Sequence, residues 1–355
     1  MNCTRCLFTS DIAHIHNDGI CEYCKMHDKL EVQSLPKDLM RVLDKIRHKG
    51  RNKKYDCLIG ISGGLDSSTM LYLAVRSWEL NPLVIHFDNH WNAPEATHNI
   101  KALIQKLGVD AITYNVNKQE YDQLNMAFLH AGVPDADIPN DIAMTKLMYD
   151  TAQNYGIKYI LNGHDFREEG STPRGWTYMD AKYIRSVYKW YTGNDLFNYP
   201  VFTFWDQIKA GINGIVQVRP FHYGFYRKHA EREMIEYIGW QSYGGKHCEN
   251  LYTEFVGSYL LPVKFGIDKR IVYYSAQVRS GLMTKEDAQI KLSKRPEFDF
   301  TKFGESADVI FKATLGDIGD RSNFDRYNFK AYRPLIWILM KLKVVPYTFY
   351  KKYCF

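Results

Sequence analysis

Length, composition and charge set broad limits on this chain. It has 355 residues, of which 45% are hydrophobic and 24% charged, a composition typical of a globular protein. Because one hydrophobic core rarely serves more than about 250–300 residues, we expect a large domain with an added module or lobe. The net charge of +6 suits a polyanionic ligand such as a nucleotide, but it lacks the strongly basic character of nucleic-acid-binding domains. We therefore expect no nucleic-acid partner.

Apolar segments give no sign of a membrane span. The longest apolar run, residues 334–340, is shorter than the roughly 20 residues that cross a bilayer, and the N-terminus lacks the apolar stretch of a signal peptide. We expect a soluble, cytoplasmic protein. The C-terminal segments 334–343 and 347–355 are apolar, aromatic and basic. This pattern favours a helix packed on the domain or on a partner over a helix on a membrane surface.

The N-terminus contains two CxxC pairs. Their residues are Cys3, Cys6, Cys21 and Cys24. In a cytosolic chain, this spacing indicates metal binding rather than disulfides, and it is close to that of zinc ribbons. Four thiolates would leave no open coordination position, so we predict a structural Zn²⁺ site within a zinc-ribbon-like module at residues 1–30. Residues 31–54 are predicted to form a linker helix.

Apolar strands and helical segments then alternate. Buried strands are predicted at residues 55–61, 82–88, 111–116 and 159–162, with helices between them. This alternation predicts an α/β fold, a parallel sheet with helices on both faces, whose ligands bind beyond the carboxyl ends of the strands. We assign this domain to residues 55–240 and a helical substrate or partner region to residues 241–355. The stretch 171–217 is aromatic and predicted to be irregular.

A glycine- and serine-rich loop follows the first predicted strand directly. Its sequence is Ser62-Gly63-Gly64-Leu65-Asp66-Ser67-Ser68. Paired glycines let backbone N–H groups approach phosphate oxygens, and the following helix N-terminus favours anions. The serine hydroxyls can donate hydrogen bonds, and Asp66 can hold Mg²⁺. The glycines and serines of this loop, with Asp66, are therefore the predicted phosphate ligands, and the resemblance given next implies that the phosphates are those of ATP and pyrophosphate.

This loop resembles the PP-loop of N-type ATP-pyrophosphatases, which have the adenine nucleotide alpha hydrolase-like (HUP) fold. The resemblance implies cleavage of ATP between the α- and β-phosphates and activation of a substrate oxygen as its adenylate. It also implies that Asp88 lies near the adenosine, although Asp88 could equally cap the next loop. Residues 163–169 resemble the loop that supplies a second Mg²⁺ carboxylate in NAD synthetases, with Glu169 preferred over Glu168.

Further segments resemble N-acetyl sugar amidotransferases of the WbpG/PseA type. They are Trp91-Asn92, Ala127-Phe128-Leu129, Val133-Pro134-Asp135, Ile138-Pro139-Asn140-Asp141, Tyr243-Gly244-Gly245-Lys246-His247-Cys248-Glu249, 259–270 and 280–284. The resemblance implies that a nucleotide-activated N-acetyl sugar is converted to its acetamidino form during bacterial surface polysaccharide (LPS O-antigen or related) biosynthesis. It also implies two partners, a glutaminase and a cyclase-like subunit resembling those of imidazole glycerol phosphate synthase, which supply ammonia.

Adenylation of an amide oxygen develops negative charge that cations stabilise. Lys246, Lys264 and Arg270 are the catalytic candidates beside Asp66, and each could instead be a surface cation. Lys246 is preferred because the glycines before it would let its loop close over the nucleotide. Asp141 is a further candidate for substrate or magnesium binding, with helix capping as its alternative. His164 stands where a less polar turn is expected, and its role stays open.

Two other functions compete with this interpretation. PP-loop tRNA-modifying enzymes of the thiolase or lysidine synthetase type combine the same loop with zinc modules. Thiolases usually carry a catalytic cysteine, and Cys248 is the only candidate here, although its neighbours do not match. The second alternative is a scaffold that docks a glutaminase and has a degenerate nucleotide site, against which the intact loop argues.

Overall fold

The computed structural model describes residues 1–224 and 227–355. Its centre is a five-stranded, fully parallel sheet in the order β3-β2-β1-β4-β5. The strands are β1 (Cys57–Ile61), β2 (Pro82–Asp88), β3 (Ala111–Asn115), β4 (Tyr159–Leu161) and β5 (Val216–Val218). Ile59 of β1 pairs with Val84 of β2 and with Leu161 of β4, so β1 is the middle strand.

Helices surround this sheet and extend beyond it at both ends of the chain. The first nine are α1 (Glu22–Gln33), α2 (Pro36–Gly50), α3 (Leu65–Arg76), α4 (Pro94–Leu107), α5 (Lys118–Ala131), α6 (Ile138–Asn154), α7 (Ala181–Thr192), α8 (Phe204–Ile212) and α9 (Arg227–Ile238). Those that follow are α10 (Leu251–Phe255), α11 (Arg270–Arg279), α12 (Lys285–Ser293), α13 (Ala307–Thr314), α14 (Arg333–Lys341) and α15 (Tyr347–Tyr353), with a π-helical segment Val256–Lys264 after α10.

Both faces of the sheet are covered. Successive residues of a strand point to opposite faces, and Leu58 and Ile59 accordingly belong to different apolar clusters. Leu58 packs in a cluster with residues of α5, α6 and α7. Ile59 packs with residues of α2, α3, α4 and α9. The predicted parallel sheet with helices on both faces is therefore confirmed.

Some local predictions differ from the structure. The stretch 171–217, predicted to be irregular, contains α7, α8 and most of β5. Some of its aromatic residues pack these helices on the sheet: Tyr183 and Tyr188 of α7 are buried against the core. The predicted linker helix is interrupted, because α1 ends at Gln33 and α2 begins at Pro36. A proline disfavours helical backbone in the residue before it, here Leu35, and so starts a new helix.

The N-terminal cysteine module packs against the C-terminal region. Val272 of α11 belongs to the module's apolar cluster, and the Leu7 N–H donates to Ser275 Oγ at 3.3 Å. A cysteine cluster at the N-terminus and a helical C-terminal region agree with the predicted fold class. Within the described residues, no helix combines the length and apolar character needed to cross a membrane.

Candidate functional site

The glycine- and serine-rich loop lies at the point where the order of the sheet reverses. After β1 the chain builds β2 and β3 on one side, and later β4 and β5 on the other. Such a reversal leaves a crevice beyond the carboxyl ends of the strands, where α/β folds bind ligands. Helix α3 begins at Leu65, directly after Gly64. Its unpaired N–H groups therefore face this crevice.

Gly63 fixes the shape of the loop. Its φ of +76° is in the left-handed region, and a Cβ there would lie 2.3 Å from the carbonyl oxygen of Ala96. The Gly63 carbonyl accepts hydrogen bonds from Asn99 Nδ2 at 3.2 Å and from Trp240 Nε1 at 3.3 Å. Only glycine combines this φ with the absence of a Cβ. The two hydrogen-bond donors, on α4 and in the segment after α9, hold the loop in place.

Side chains within the loop support one another. The Ser62 N–H donates to Ser67 Oγ at 3.3 Å, and Ser62 Oγ lies 3.4 Å from Glu249 Oε1. The Leu65 N–H donates to Tyr243 Oη at 3.1 Å. Ser68, by contrast, is fully buried beneath the loop. The segment around residues 243–249 therefore covers the loop, and Ser68, a predicted ligand, does not line the cavity above it.

A cavity of about 840 Å³ opens above this loop. Four of the predicted loop ligands line it: Ser62, Gly64, Asp66 and Ser67. Five further predicted residues line it from elsewhere in the chain: Asp141, His164, Glu168, Glu169 and Lys246. Ligand pockets usually measure about 300–1,000 Å³. The cavity is therefore large enough for a nucleotide with part of a second substrate.

A buried arginine, absent from the sequence-based predictions, is at one end of the cavity. The Arg227 guanidinium contacts Asp66, and it lies 2.6 Å from Glu231 Oε1 and 3.4 Å from Glu168 Oε2. Arg227 is only 6% exposed. The one local signal was its i,i+4 spacing to Glu231, which is common on helix surfaces and does not identify a site.

Three carboxylates converge around this arginine. Oxygens of Asp66, Glu168 and Glu231 lie within 4.8 Å of one another. Carboxylate oxygens are the ligands that Mg²⁺ prefers, so the donor set fits that ion. Burial and the neighbouring Glu231 raise the pKa of Glu168. The sequence interpretation preferred Glu169 for this role, but the structure places Glu168 in the cluster.

Lys246 connects the covering segment to the loop. Its Nζ lies 3.4 Å from Asp66 Oδ2 and 3.6 Å from Glu169 Oε1. The same ammonium lies 5.5 Å from the centre of the Tyr273 ring on α11. A cation held in this position faces the place where the phosphates of a bound nucleotide would lie.

His164 lies at the end of β4 and forms a pair with a second histidine. Its Nδ1 lies 3.2 Å from His222 Nε2, and its Nε2 lies 3.2 Å from the Gly170 carbonyl oxygen. The carbonyl oxygen can only accept a hydrogen bond, so we assign the His164 proton to Nε2. His164 Nδ1 then accepts a hydrogen bond from the Nε2–H of His222. Burial, with Arg219 nearby, lowers the pKa of His164 to about 4. Burial and His164 lower that of His222 to about 3, so both rings are neutral at pH 7.

Asp141 is in the first turn of α6 and faces the cavity. The cavity walls around it and the neighbouring Asp137 carboxylate raise its pKa to about 7, although the residue itself is exposed at the mouth of the cavity. A carboxyl group of this kind can exchange a proton near neutral pH.

Of the predicted catalytic and nucleotide-binding residues outside the loop, three do not line the cavity. Asp88 Oδ1 accepts hydrogen bonds from the His90 N–H at 2.9 Å and Asn92 Nδ2 at 3.2 Å, so Asp88 caps the following loop. The Arg270 guanidinium bonds to Asp268 and to carbonyl oxygens at the end of α12, including that of Lys294 at 2.8 Å. Lys264 lies beside the Phe265 ring, 5.9 Å from its centre.

The four N-terminal cysteines converge, and all are buried. The Sγ–Sγ distance is 3.8 Å between Cys3 and Cys24, 3.7 Å between Cys6 and Cys21, and 3.5 Å between Cys21 and Cys24. A tetrahedral ion with metal–sulfur bonds of about 2.3 Å requires sulfur–sulfur separations of about 3.8 Å. The thiols therefore fit a tetrahedral metal ion. The buried Arg279 lies 3.6 Å from Cys6 Sγ.

Comparisons with known proteins agree with this geometry. Residues 249–343 match the family model "LPS biosynthesis protein WbpG-like, C-terminal domain", and residues 37–163 match that of NAD synthase. An uncharacterized protein of Methanocaldococcus jannaschii is 24% identical over 83% of this chain and 94% of its own length. The tRNA-specific 2-thiouridylase MnmA of Tolumonas auensis is 25% identical over 61% of this chain, and the match spans 59% of that relative.

Two solved structures are also similar, at a low level. The NMN synthetase of Francisella tularensis aligns with a TM-score of 0.33 at 15% identity, over 70% of this chain and 93% of that one. The U34-tRNA thiolase NcsA of Methanococcus maripaludis, solved with its [4Fe-4S] cluster, aligns with a TM-score of 0.33 at 13% identity, over 92% of this chain and 99% of that one. The match to NAD synthase includes the loop at the reversal point of the parallel sheet, and the WbpG-like match begins at Glu249, which contacts that loop.

Proposed function

We propose that this chain is an ATP-dependent amidotransferase. It adenylates the acetamido oxygen of a nucleotide-activated sugar and replaces that oxygen with ammonia, during bacterial surface polysaccharide biosynthesis. One observation carries the proposal. The cavity lies between the two matched regions: Ser62 and Asp66 come from the NAD synthase-like part, and Glu249 and Gln277 come from the WbpG-like part. A nucleotide on the loop would therefore share the cavity with two side chains of the WbpG-like region.

The chemistry requires two displacements. The amide oxygen first attacks the α-phosphorus of ATP, and the bond to the β-phosphate breaks to release pyrophosphate. Ammonia then adds to the activated carbon. The added nitrogen loses a proton, and the bond between the carbon and the oxygen of AMP breaks to release AMP. Both steps develop negative charge on phosphate oxygens, which preorganised cations stabilise.

Residues of this chain supply that positive charge and the means of orienting phosphate. Lys246 and Arg227 are the cations beside the loop, each in contact with Asp66. Asp66, Glu168 and Glu231 would hold Mg²⁺, which contributes charge against the phosphate oxygens when it is bound. Backbone N–H groups at the start of α3 orient the same oxygens.

The other end of the cavity suits the sugar. His164, a neutral ring whose Nε2–H donates to the Gly170 carbonyl oxygen, lines this part of the cavity. Asp141, whose pKa is raised, is our candidate for taking the proton lost by the incoming ammonia. The ammonia itself would come from a glutaminase and a cyclase-like partner, and Zn²⁺ is our candidate for the cysteine site.

A tRNA-modifying activity is the second candidate, favoured by the MnmA match. Such a thiolase would need an activated cysteine near the loop. Cys248 is outside the cavity lining, and burial raises its pKa to about 11. A nucleophilic thiol needs the opposite shift. We therefore favour the amidotransferase.

The test uses the purified chain with ATP, Mg²⁺, ammonium and a panel of nucleotide-activated diacetamido sugars. We expect one sugar to exchange an oxygen for an NH group, detected by mass spectrometry, with release of equal amounts of AMP and pyrophosphate. The Asp66→Asn variant is the control without activity. AMP release that depends on tRNA, and on none of the sugars, would overturn the proposal in favour of the thiolase.

A further inference from the structure

The positive charge of this protein is concentrated at the end of the chain. Residues 326–355 contain seven Lys or Arg residues and no Asp or Glu, whereas the whole chain has a net charge of +6. The remaining residues are therefore close to neutral in sum. A cationic segment of this kind attracts an anionic surface, and the attraction depends on salt concentration.

Helix α14, within this segment, packs through only one of its faces. Ile336 is 1% exposed and lies in a small cluster with Val345, Tyr350 and Cys354. The opposite face is apolar and open to solvent: Trp337 is 46% exposed, Ile338 48% and Leu342 67%. The sequence analysis favoured packing of this helix on the domain or on a partner. Packing on the domain covers one side of α14 and leaves the other side exposed.

The exposed apolar face continues onto α8. Phe204 and Ile208 of α8 pack against the same cluster as α14. Trp205 and Ile212 point outward, with exposures of 74% and 73%. Gly211 lies directly against Val344, whose carbonyl oxygen would be 2.1 Å from a Cβ added at that glycine. The end of α8 and the turn after α14 are therefore adjacent.

Cations accompany the apolar residues. Lys341 Nζ lies 5.3 Å from the centre of the Trp337 ring, and Lys343 in the following turn is exposed. Two other cations of the segment have partners within the fold: Arg333 donates to Tyr350 Oη at 3.1 Å, and Lys352 bonds to the Met179 carbonyl. Lys341 and Lys343 are the cations that lie beside the exposed apolar residues of α14.

We propose that this surface, made of α14, the turn after it and the outer side of α8, binds an anionic lipid bilayer. Helix α14 would lie in the plane of the headgroups. Interfacial helices combine Trp, Leu and Ile on one side with lysines at the headgroup level, as here. Each lysine near such a surface strengthens binding about fivefold. This proposal does not depend on the reaction proposed above.

Two other occupants fit the surface less well. An RNA backbone would use the lysines, but it offers nothing that buries Leu342 and Ile338. A second copy of the chain would bring two strongly cationic surfaces together, and like charges at an interface are unfavourable. A bilayer containing anionic lipid can bury the apolar side chains and also attract the lysines through its headgroups.

The experiment measures co-sedimentation of the full chain with vesicles of equal parts phosphatidylglycerol and phosphatidylethanolamine, and with vesicles of phosphatidylcholine alone. We expect binding to the anionic vesicles only, weakened by salt. Trp337→Glu combined with Ile338→Glu should abolish it. Lys341→Glu combined with Lys343→Glu should weaken it by at least about 25-fold.

Matched controls are Val32→Glu on α1 and Lys45→Glu combined with Lys49→Glu on α2, all exposed positions in another part of the fold. These variants should bind like the unmodified chain. Unchanged unfolding temperatures would show that the test variants are folded. The proposal is overturned by absence of binding to anionic vesicles, or by retained binding in the Trp337 and Ile338 variant. It is likewise overturned if that variant merely converts a dimer into a monomer, or if only single-stranded RNA binds at this surface.

Discussion

The ammonium of Lys246 lies 3.4 Å from the carboxylate of Asp66, although 180 positions separate the two residues in the chain. Asp66 belongs to the loop after β1, whereas Lys246 belongs to the segment between α9 and α10. The candidate site is therefore completed only when the C-terminal part of the chain has folded onto the sheet. The following predictions test separate parts of that arrangement.

Replacement of Asp66 by asparagine should remove most of the activity. Asp66 contacts both cations and contributes to the three-carboxylate cluster. Loss of one such charged group at a phosphate site typically costs about 100-fold or more in kcat. The measurement is pyrophosphate release. Asp88→Asn is the matched control, because Asp88 caps a loop outside the cavity lining, and it should retain activity within a fewfold. Full activity of Asp66→Asn would contradict the assignment.

Two lysines from the same part of the sequence should differ in their effects. Lys246→Met should lower kcat about 100-fold, because Lys246 Nζ faces the loop. Lys264→Met should leave kcat nearly unchanged, because Lys264 is beside Phe265 and outside the cavity lining. Steady-state kinetics of both variants give the comparison. An equal loss in both would indicate a folding defect rather than a role at the site.

The histidine pair should make the folded chain less stable as the pH is lowered. The folded-state pKa values of His164 and His222, about 4 and about 3, are below the usual value of about 6.5 for an unfolded histidine. The unfolded chain therefore binds more protons below pH 6.5, and the free energy of unfolding decreases as the pH falls from 6.5 toward 4. Each histidine can steepen the slope by up to about 1.4 kcal/mol per pH unit. Urea titrations of the chain and of His164→Asn measure the difference, and identical slopes would contradict it.

The cysteine cluster should retain a metal ion, and Arg279 should help to hold it. Four metal-bound thiolates carry excess negative charge, and the buried Arg279 guanidinium lies 3.6 Å from Cys6 Sγ. Cys6→Ser should lower the metal content measured by elemental analysis. Arg279→Met should accelerate metal loss to a chelator about tenfold or more, as is typical when a group outside the ligand shell is removed. Cys57→Ser is the control, because Cys57 is buried in β1 away from the cluster. An unchanged rate in Arg279→Met would exclude this role for the arginine.

Gly63→Ala should destabilise the chain more than Gly108→Ala. Both glycines have positive φ, +76° and +64°, so each alanine incurs roughly 1–2 kcal/mol of backbone strain. Only the Cβ at Gly63 would also collide with the Ala96 carbonyl, whereas the space at Gly108 is open. Thermal unfolding of the two variants measures the difference. Equal unfolding temperatures would show that the loop can relax away from Ala96.

The sequence predicted those parts of the molecule that depend on local pattern. The bounds of β2 follow from an apolar run at residues 82–88, and the structure has the same bounds. The loop residues reach the crevice because they directly follow a central strand. Arg227 and Glu231 could not be predicted, because only the packing of α9 against α3 brings them to Asp66. Arg270 was selected by resemblance, but its local contacts with Asp268 and with the end of α12 occupy its guanidinium.

Helix α11 lies between the cysteine module and the cavity of the candidate site. On one side Val272 belongs to the cluster around the cysteines, and on the other Gln277 lines the cavity while Tyr273 faces Lys246. Loss of a metal ion from the cysteine cluster should therefore weaken one wall of the candidate site. Treatment with a chelator, or removal of residues 1–30, is then expected to disturb the site although none of the residues that line it has changed.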